Sequence, residues 1–314
     1  MPTPAHPLKE TPRVPLPLLL GVIVIAVSLS AIFIRLTDAP GTVIALYRLA
    51  LASLLMLPAA WRGLRRSEAV TARGLWLSVI AGVMLGWHFA TWTTSLEYTS
   101  VAASVTLVTT NPLWIVLLLW LVRGRRPAGR TLSGVLTAVG GGVLIGLDGG
   151  AGPGGGDQAA FGNFLALAGA VCVSVNMLLG RAAQQSGLSL MAYSGISYLV
   201  ATLSLLPLPA LLGQSYGPYP AAVFFWIFML ALVSQLVGHT AINYSLRFLD
   251  ATIVSTVILL EPVVASLLAM LIFSEFPGAL TALGAVVLLL GIWLVNSGSR
   301  PGGPRRQETA ETVL

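Results

Sequence analysis

The chain has 314 residues, 56% of them apolar and only 9% charged, with a mean hydropathy of +0.88. Soluble domains carry about 25% charged residues, so 17 basic and 11 acidic side chains cannot coat a globule of this length. A soluble single-core enzyme is excluded, and the composition points to a polytopic membrane protein. The single cysteine, Cys172, excludes a disulfide framework and a cysteine metal site. Its apolar flanks suit a buried helix position.

In chain order, apolar runs long enough to cross a bilayer predict ten spans: 16–36, 41–60, 74–94, 100–122, 131–148, 160–180, 190–212, 221–246, 251–274 and 277–297. Each must be helical, because hydrocarbon offers no partner to an open backbone. The first run is too long for a signal-peptide core and is taken as retained. The expected organisation is a tail over 1–15, a first repeat over 16–148, a glycine-rich linker over 149–159, a second repeat over 160–297 and a tail over 298–314. The linker stretch GGAGPGGG lacks the Lys-Ser/Thr of a phosphate loop.

Charge orders these spans. Of the 17 basic residues, 15 fall in the two tails or in the loops after spans 2, 4, 6 and 8. The alternate loops hold Asp38, Glu97, Asp148, Asp157 and Glu275 and no Lys or Arg. By the positive-inside rule both termini are expected in the cytoplasm, in an inner or plasma membrane. The net charge of +6 therefore reads as topology, and no nucleic-acid partner is expected. Arg35 and Arg48 lie within spans.

Shifting the sequence by 150 residues without gaps aligns Trp76 with Trp226, Ser95-Leu96 with Ser245-Leu246, Thr106 with Thr256 and Pro112 with Pro262. It also aligns Pro127 with Pro277, Thr131 with Thr281, Gly134 with Gly284 and Gly141 with Gly291. Matched Trp, Pro and Gly are improbable by chance in an apolar chain. Five spans per repeat force the halves to cross in opposite senses, so an all-α fold of two inverted five-helix repeats is expected.

These residues resemble the drug/metabolite transporter superfamily, EamA-type. The resemblance rests on the two Ser-Leu pairs, Asn111-Pro112, Leu260-Glu261-Pro262-Val263, Ser274-Glu275 before Pro277, and Tyr47-Arg48. It covers 16–148 and 160–297. It implies secondary transport, with export of amino acids and other small metabolites as the family activity. The first repeat departs in carrying Asn111 opposite Glu261 and Arg125 opposite Glu275.

Polar groups at mid-membrane depth are the candidate site, since a charge there costs at least about 2.5 kcal/mol. The repeat brings Asn111-Pro112 and Glu261-Pro262 to one level near the midplane. Each proline removes a backbone bond and kinks its helix. Glu261 either serves substrate, gating or protons, or is structurally paired. Arg48 pairs with a substrate carboxylate, with Glu261 or with helix-end carbonyls; Arg35 is placed to snorkel to the interface. His88 and His239 sit at repeat positions offset by one residue and are candidates for a proton relay. Asn243, Thr91, Thr106, Thr109, Thr110, Ser174 and Asn176 are further candidate cavity groups, with bonding to a backbone carbonyl as the default for Ser and Thr. Trp87, Trp92, Trp114 and Tyr244 lie on the spans assigned to the cavity and are candidates to stack on a substrate, while Trp92 and Trp120 sit toward span ends and also suit interfacial belts. Gly82-x-x-x-Gly86 and Gly142-x-x-x-Gly146 permit close helix contact.

The expected function is a secondary transporter of a small-molecule substrate, with protons as a candidate coupling ion and lipids around it. No cofactor or metal is expected, and the chain is not expected to be an enzyme. An intramembrane hydrolase lacks its constellation, because His6, His88 and His239 form no zinc helix motif. A channel fits an internal two-fold repeat less well than a carrier does.

Overall fold

The computed structural model describes residues 14–124, 128–147, 156–249, 254 and 257–298. Most of the expected linker and both tails, together with Arg125, Pro127, Asp148 and Thr256, lie outside the described residues. Every regular element among the described residues is helical. The first repeat holds α1 (Leu16–Arg35), α2 (Gly41–Arg65), α3 (Ala72–Tyr98), α4 (Val101–Val108), α5 (Asn111–Arg123) and α6 (Gly129–Leu147). The second holds α7 (Gly156–Gln185), α8 (Leu190–Leu205), α9 (Leu208–Leu211), α10 (Ala221–Met229), a π-helix (Leu230–His239), α11 (Thr240–Ser245), α12 (Glu261–Phe273) and α13 (Ala279–Gly298).

Seven stretches are long and apolar enough to span a membrane; α4 with α5, α8 with α9, and α10 through α11 each count as one. The shorter apolar helices α6, α12 and α13 complete ten passes. α2 outruns its expected end at residue 60 because its last turn carries Arg62 and Arg65, which favour a helix C-terminus. Arg65 also lies over the Trp61 ring at 5.0 Å. Thr71, Ser100 and Ser189 cap α3, α4 and α8 through their hydroxyl oxygens, satisfying amides that a helix start leaves open.

The packing follows the repeat. α3 packs on α7 as α1 packs on the π-segment, its counterpart by exchange of halves. α4 on α7 matches α1 on α12 in the same way, while α2–α8, α4–α12 and α6–α13 are pairs that exchange maps onto themselves. This is the pseudo-two-fold relation of an inverted repeat.

The α6–α13 contact carries it to the atom. A Cβ built on Gly134, Gly141, Gly284 or Gly291 would stand 2.6–2.7 Å from a carbonyl oxygen of the facing helix. Gly134 meets Gly291, and Gly141 meets Gly284, so the four matched glycines cross over one axis. Small residues let backbones approach this closely, which in lipid replaces the missing hydrophobic drive. Gly82 and Gly86 do the same against Ser197 and Ala201 of α8, whereas a Cβ on Gly142 would meet only the Leu107 side chain, at 4.0 Å.

Gly141→Val is expected to push α6 from α13 and destabilise the protein by about 1–3 kcal/mol, read as a lower Tm of the detergent-purified chain. Gly140→Val, with nothing within 4 Å of its Cβ, should leave Tm unchanged. Equal Tm values for the two variants would refute the close crossing.

Candidate functional site

Spans 4 and 9 are both interrupted, and their second halves start at the matched residues. α4 ends at Val108, Thr109 and Thr110 form a turn, and α5 begins at Asn111-Pro112. In span 9 the chain turns at Leu259-Leu260, and α12 begins at Glu261-Pro262. Proline fits the first turn of a helix, where its missing amide would be unpaired anyway.

The broken backbone is closed by hydroxyls. Thr109 Oγ1 donates to Val105 O at 2.9 Å and Thr110 Oγ1 to Leu107 O at 2.7 Å. Ser174 of α7 donates to the Asn111 carbonyl at 3.2 Å. Ser28 of α1 donates to the Glu261 carbonyl at 3.5 Å. Exchange of halves maps α7 onto span 1 and span 4 onto span 9, so the two serines are counterparts.

Between the breaks lies a cavity with about 580 Å³ of atom-free space, partly open. Its walls come from spans 1, 3 and 4 and from their counterparts 6, 8 and 9. The first repeat contributes Ser30, His88, Trp92, Thr109 and Asn111. The second contributes Asn176, Met177, His239, Asn243 and Glu261. Valines and isoleucines fill the remainder.

Of the residues expected at the site, Glu261, Asn111, Asn243, His88 and His239 line this cavity. Glu261 is the first residue of α12, where the helix dipole favours a carboxylate. Asn111 is buried, and its Oδ1 has no partner. The His88 and His239 rings lie 6.3 Å apart. Their one-residue offset has a structural cause: the π-helix ends at His239, and its wider i→i+5 turns take up about one additional residue relative to α3.

Pro112 and Pro262 are buried at the starts of the half-helices and do not line the cavity. Trp87 and Tyr244 fall outside it as well. Trp87 is 43% exposed on the outer face, and Tyr244 meets Phe248 edge-to-face at 4.9 Å. The reason is helical phase. Trp92 lies four residues from His88 and shares its face, while Trp87 is turned about 100° away. Asn243 lies four residues from His239, and Tyr244 is likewise turned aside. Trp92, weighed both for the cavity and for an interfacial belt, is buried in the cavity wall and stacked on His88 at 5.9 Å, its indole N–H without a partner among the described residues.

Thr109 and Asn176 also reach the cavity. Thr91, Thr106, Thr110 and Ser174 bond backbone carbonyls instead. Ser30, Met177 and the aliphatic walls carried no sequence signal beyond lying on polar helix faces.

Arg48 is fully buried beside the cavity but is not part of its wall. Its Nε donates to Gln235 Oε1 and its Nη1 to Ser30 Oγ, both at 2.9 Å. The guanidinium lies 4.0 Å from the Phe89 ring centre, and Phe89 meets His239 edge-on at 4.9 Å. Arg48 and Glu261 form no ion pair among the described residues, although they lie within Coulombic range. Arg35 is tied down rather than free at the interface. It pairs with Glu275 at 3.2 Å and donates to Thr99 O at 3.0 Å, while Glu275 accepts from the Val101 amide at 2.6 Å. That pair joins the two repeats at the end opposite the arginine-rich loops.

The EamA-like transporter family model matches residues 15–147 and 160–297, one match per repeat. The chain belongs to the EamA-like transporter family. A protein described as an uncharacterized transporter from Archaeoglobus fulgidus is 27% identical over 265 residues, covering 81% of this chain and 87% of its own length. One crystal structure superposes with a TM-score of 0.61 at 18% identity, covering 88% of this chain and 94% of the other; it supports the fold alone. The family makes the protein a multi-pass membrane transporter, with a small molecule as its substrate.

Arg48→Met is expected to destabilise the protein by about 3–5 kcal/mol, because Ser30 and Gln235 lose their donor and Glu261 its nearest cation. Arg48→Lys should not restore Tm, since an ammonium cannot reproduce the planar two-acceptor contact and the Phe89 stack. Adding Glu261→Gln to Arg48→Met should recover part of the loss; no recovery would show the two charges to be energetically independent.

Proposed function

We propose that the protein is a secondary active transporter that exports small metabolites, amino acids among the candidates, by alternating access of the central cavity. The observation that carries this reading is the position of the cavity. It lies on the pseudo-two-fold axis, is walled by three spans of each repeat, and is flanked by two half-helices starting at matched residues. Exchange of conformation between the repeats would open such a site to either side in turn. Glu261 and Asn111 are the proposed substrate groups, with His88, His239 and Asn243 beside them. Arg48 acts through Ser30 as a positioning residue. His88 and His239 are the proposed proton relay, and Arg35–Glu275 closes one end.

The arginine-rich end is assigned to the cytoplasm by the positive-inside rule, with the glycine-rich linker outside. Reporter fusions after Arg66 and Arg306 should then read cytoplasmic and one within Gly149–Gly156 external. A cytoplasmic signal from the linker would overturn the assignment.

Proteoliposomes loaded with single amino acids, amines or sugars should show counterflow of at least one of them. Glu261→Gln should lose that exchange at wild-type protein level. His88→Gln and His239→Gln should flatten its dependence on an imposed pH gradient. Absence of exchange across the panel would sink the transport reading, and an unchanged pH response in both His variants would remove the relay.

A further inference from the structure

The cavity wall presents several hydrogen-bond acceptors. Each of its three asparagines spends at least one amide N–H on a protein acceptor. Asn111 Nδ2 points to Met177 Sδ at 3.6 Å, Asn176 Nδ2 to Ala81 O at 2.9 Å, and Asn243 Nδ2 to Ser194 Oγ at 3.2 Å. Among the described residues the Asn111 Oδ1 has no partner. His88 Nδ1 lies 2.9 Å from Gly169 O; a carbonyl only accepts, so Nδ1 carries the proton and Nε2 of the neutral ring is an acceptor. Glu261 adds a carboxylate.

Among the described residues no lysine or arginine lines the cavity. The nearest guanidinium, Arg48, is buried behind the wall: Nε and Nη1 bond Gln235 and Ser30, Phe89 covers its face, and Nη2 has no partner among the described residues. A ligand carboxylate entering here would find the Trp92 N–H as a donor but no cation in the described wall. It would also face Glu261. An ammonium group would find the Glu261 carboxylate and the unpartnered Asn111 oxygen as acceptors for its donors. The remaining walls are aliphatic, with the Trp92–His88 stack on one side. They suit an apolar or aromatic body.

We infer that the cavity selects small amphipathic amines, an ammonium head at Glu261 and Asn111 with an apolar body against Trp92, over zwitterions and neutral analogues of the same shape. This narrows the proposed transport reading and rests on it for its physiological meaning, but binding can be tested without transport.

The test uses the full-length protein in detergent and three ligands with one phenyl body: phenethylamine, phenylalanine and N-acetylphenethylamine. Ligand-dependent rise of Tm is followed to saturation. Phenethylamine is expected to bind at least about tenfold more tightly than either analogue. Glu261→Gln should abolish that preference, and Glu261→Asp should retain it. Equal binding of phenylalanine or of the neutral amide overturns the inference. So does the absence of any shift with phenethylamine, or a preference that survives Glu261→Gln. Counterflow in the same preparation separates the two readings. Exchange of a zwitterion without amine selectivity keeps the transporter and removes the inference. Amine-selective binding with no exchange of any compound keeps the inference and removes the transport reading.

Discussion

A helix that stops midway across hydrocarbon leaves amides and carbonyls with no water to meet them, at a cost of several kcal/mol for each open group. This chain stops two helices there, at Thr110 and at Leu260, and the surrounding architecture can be followed from how those stops are closed. Each break needs local hydroxyls, which Thr109 and Thr110 provide in span 4. Each also needs a donor from a neighbouring helix, which Ser174 and Ser28 provide across the repeat. Those serines fix α7 against span 4 and α1 against span 9. The space left between the two second halves is the cavity. The tight α6–α13 crossing through four glycines holds the ends of the repeats together without a side chain reaching inward.

The halves agree in shape and disagree in charge. Asn111 faces Glu261 across the axis, and the equivalents of Glu97 and Glu275 are Arg247 and Arg125 in sequence. Consequently the Arg35–Glu275 pair, with its cap on the first amide of α4, joins the repeats at one end. The equivalent acidic position at the other end is basic. Glu97 accepts from the Gly41 amide on the same side. Symmetry in a membrane carrier fixes where a site lies; charge asymmetry decides what each end can hold closed, and an inverted pair with identical charges would have violated the topology rule on one side.

Most of the fold was legible because the signals were global. Ten apolar runs, the alternation of arginines and the shift of 150 residues each constrain many positions at once, and Pro112/Pro262 and Gly141/Gly291 marked features that the structure uses. The cavity was legible only where a residue type is costly in lipid, as with Glu261, Asn111 and the two histidines. Trp87 and Tyr244 were misplaced because composition was read without phase. Their neighbours at i+4 from His88 and His239, Trp92 and Asn243, hold the inward face. Ser30, Gln235 and Phe89 could not be found at all, since their role depends on Arg48 of another span, and lateral adjacency is not written in a single sequence.

The π-segment follows from the same need for closure. Its i→i+5 bonding turns His239 to the phase that His88 holds in α3, despite the one-residue offset, and so restores to the cavity a symmetry that the sequence alone lacks. A π-turn strains the regular ladder, and its carbonyls need outside donors. Gln235, midway along it, supplies the answer: its carbonyl accepts from the Tyr198 and Thr240 hydroxyls at 3.4 Å, and its side-chain oxygen accepts from Arg48. Arg48 is thereby explained without an acid partner. A buried guanidinium needs several acceptors in fixed geometry; the π-segment and span 1 furnish two, the Phe89 ring meets its open face, and Nη2 has no acceptor among the described residues. The cation that sequence places at the centre of the membrane is held as part of the helix-closing framework, and the carboxylate of Glu261 is left to face the cavity.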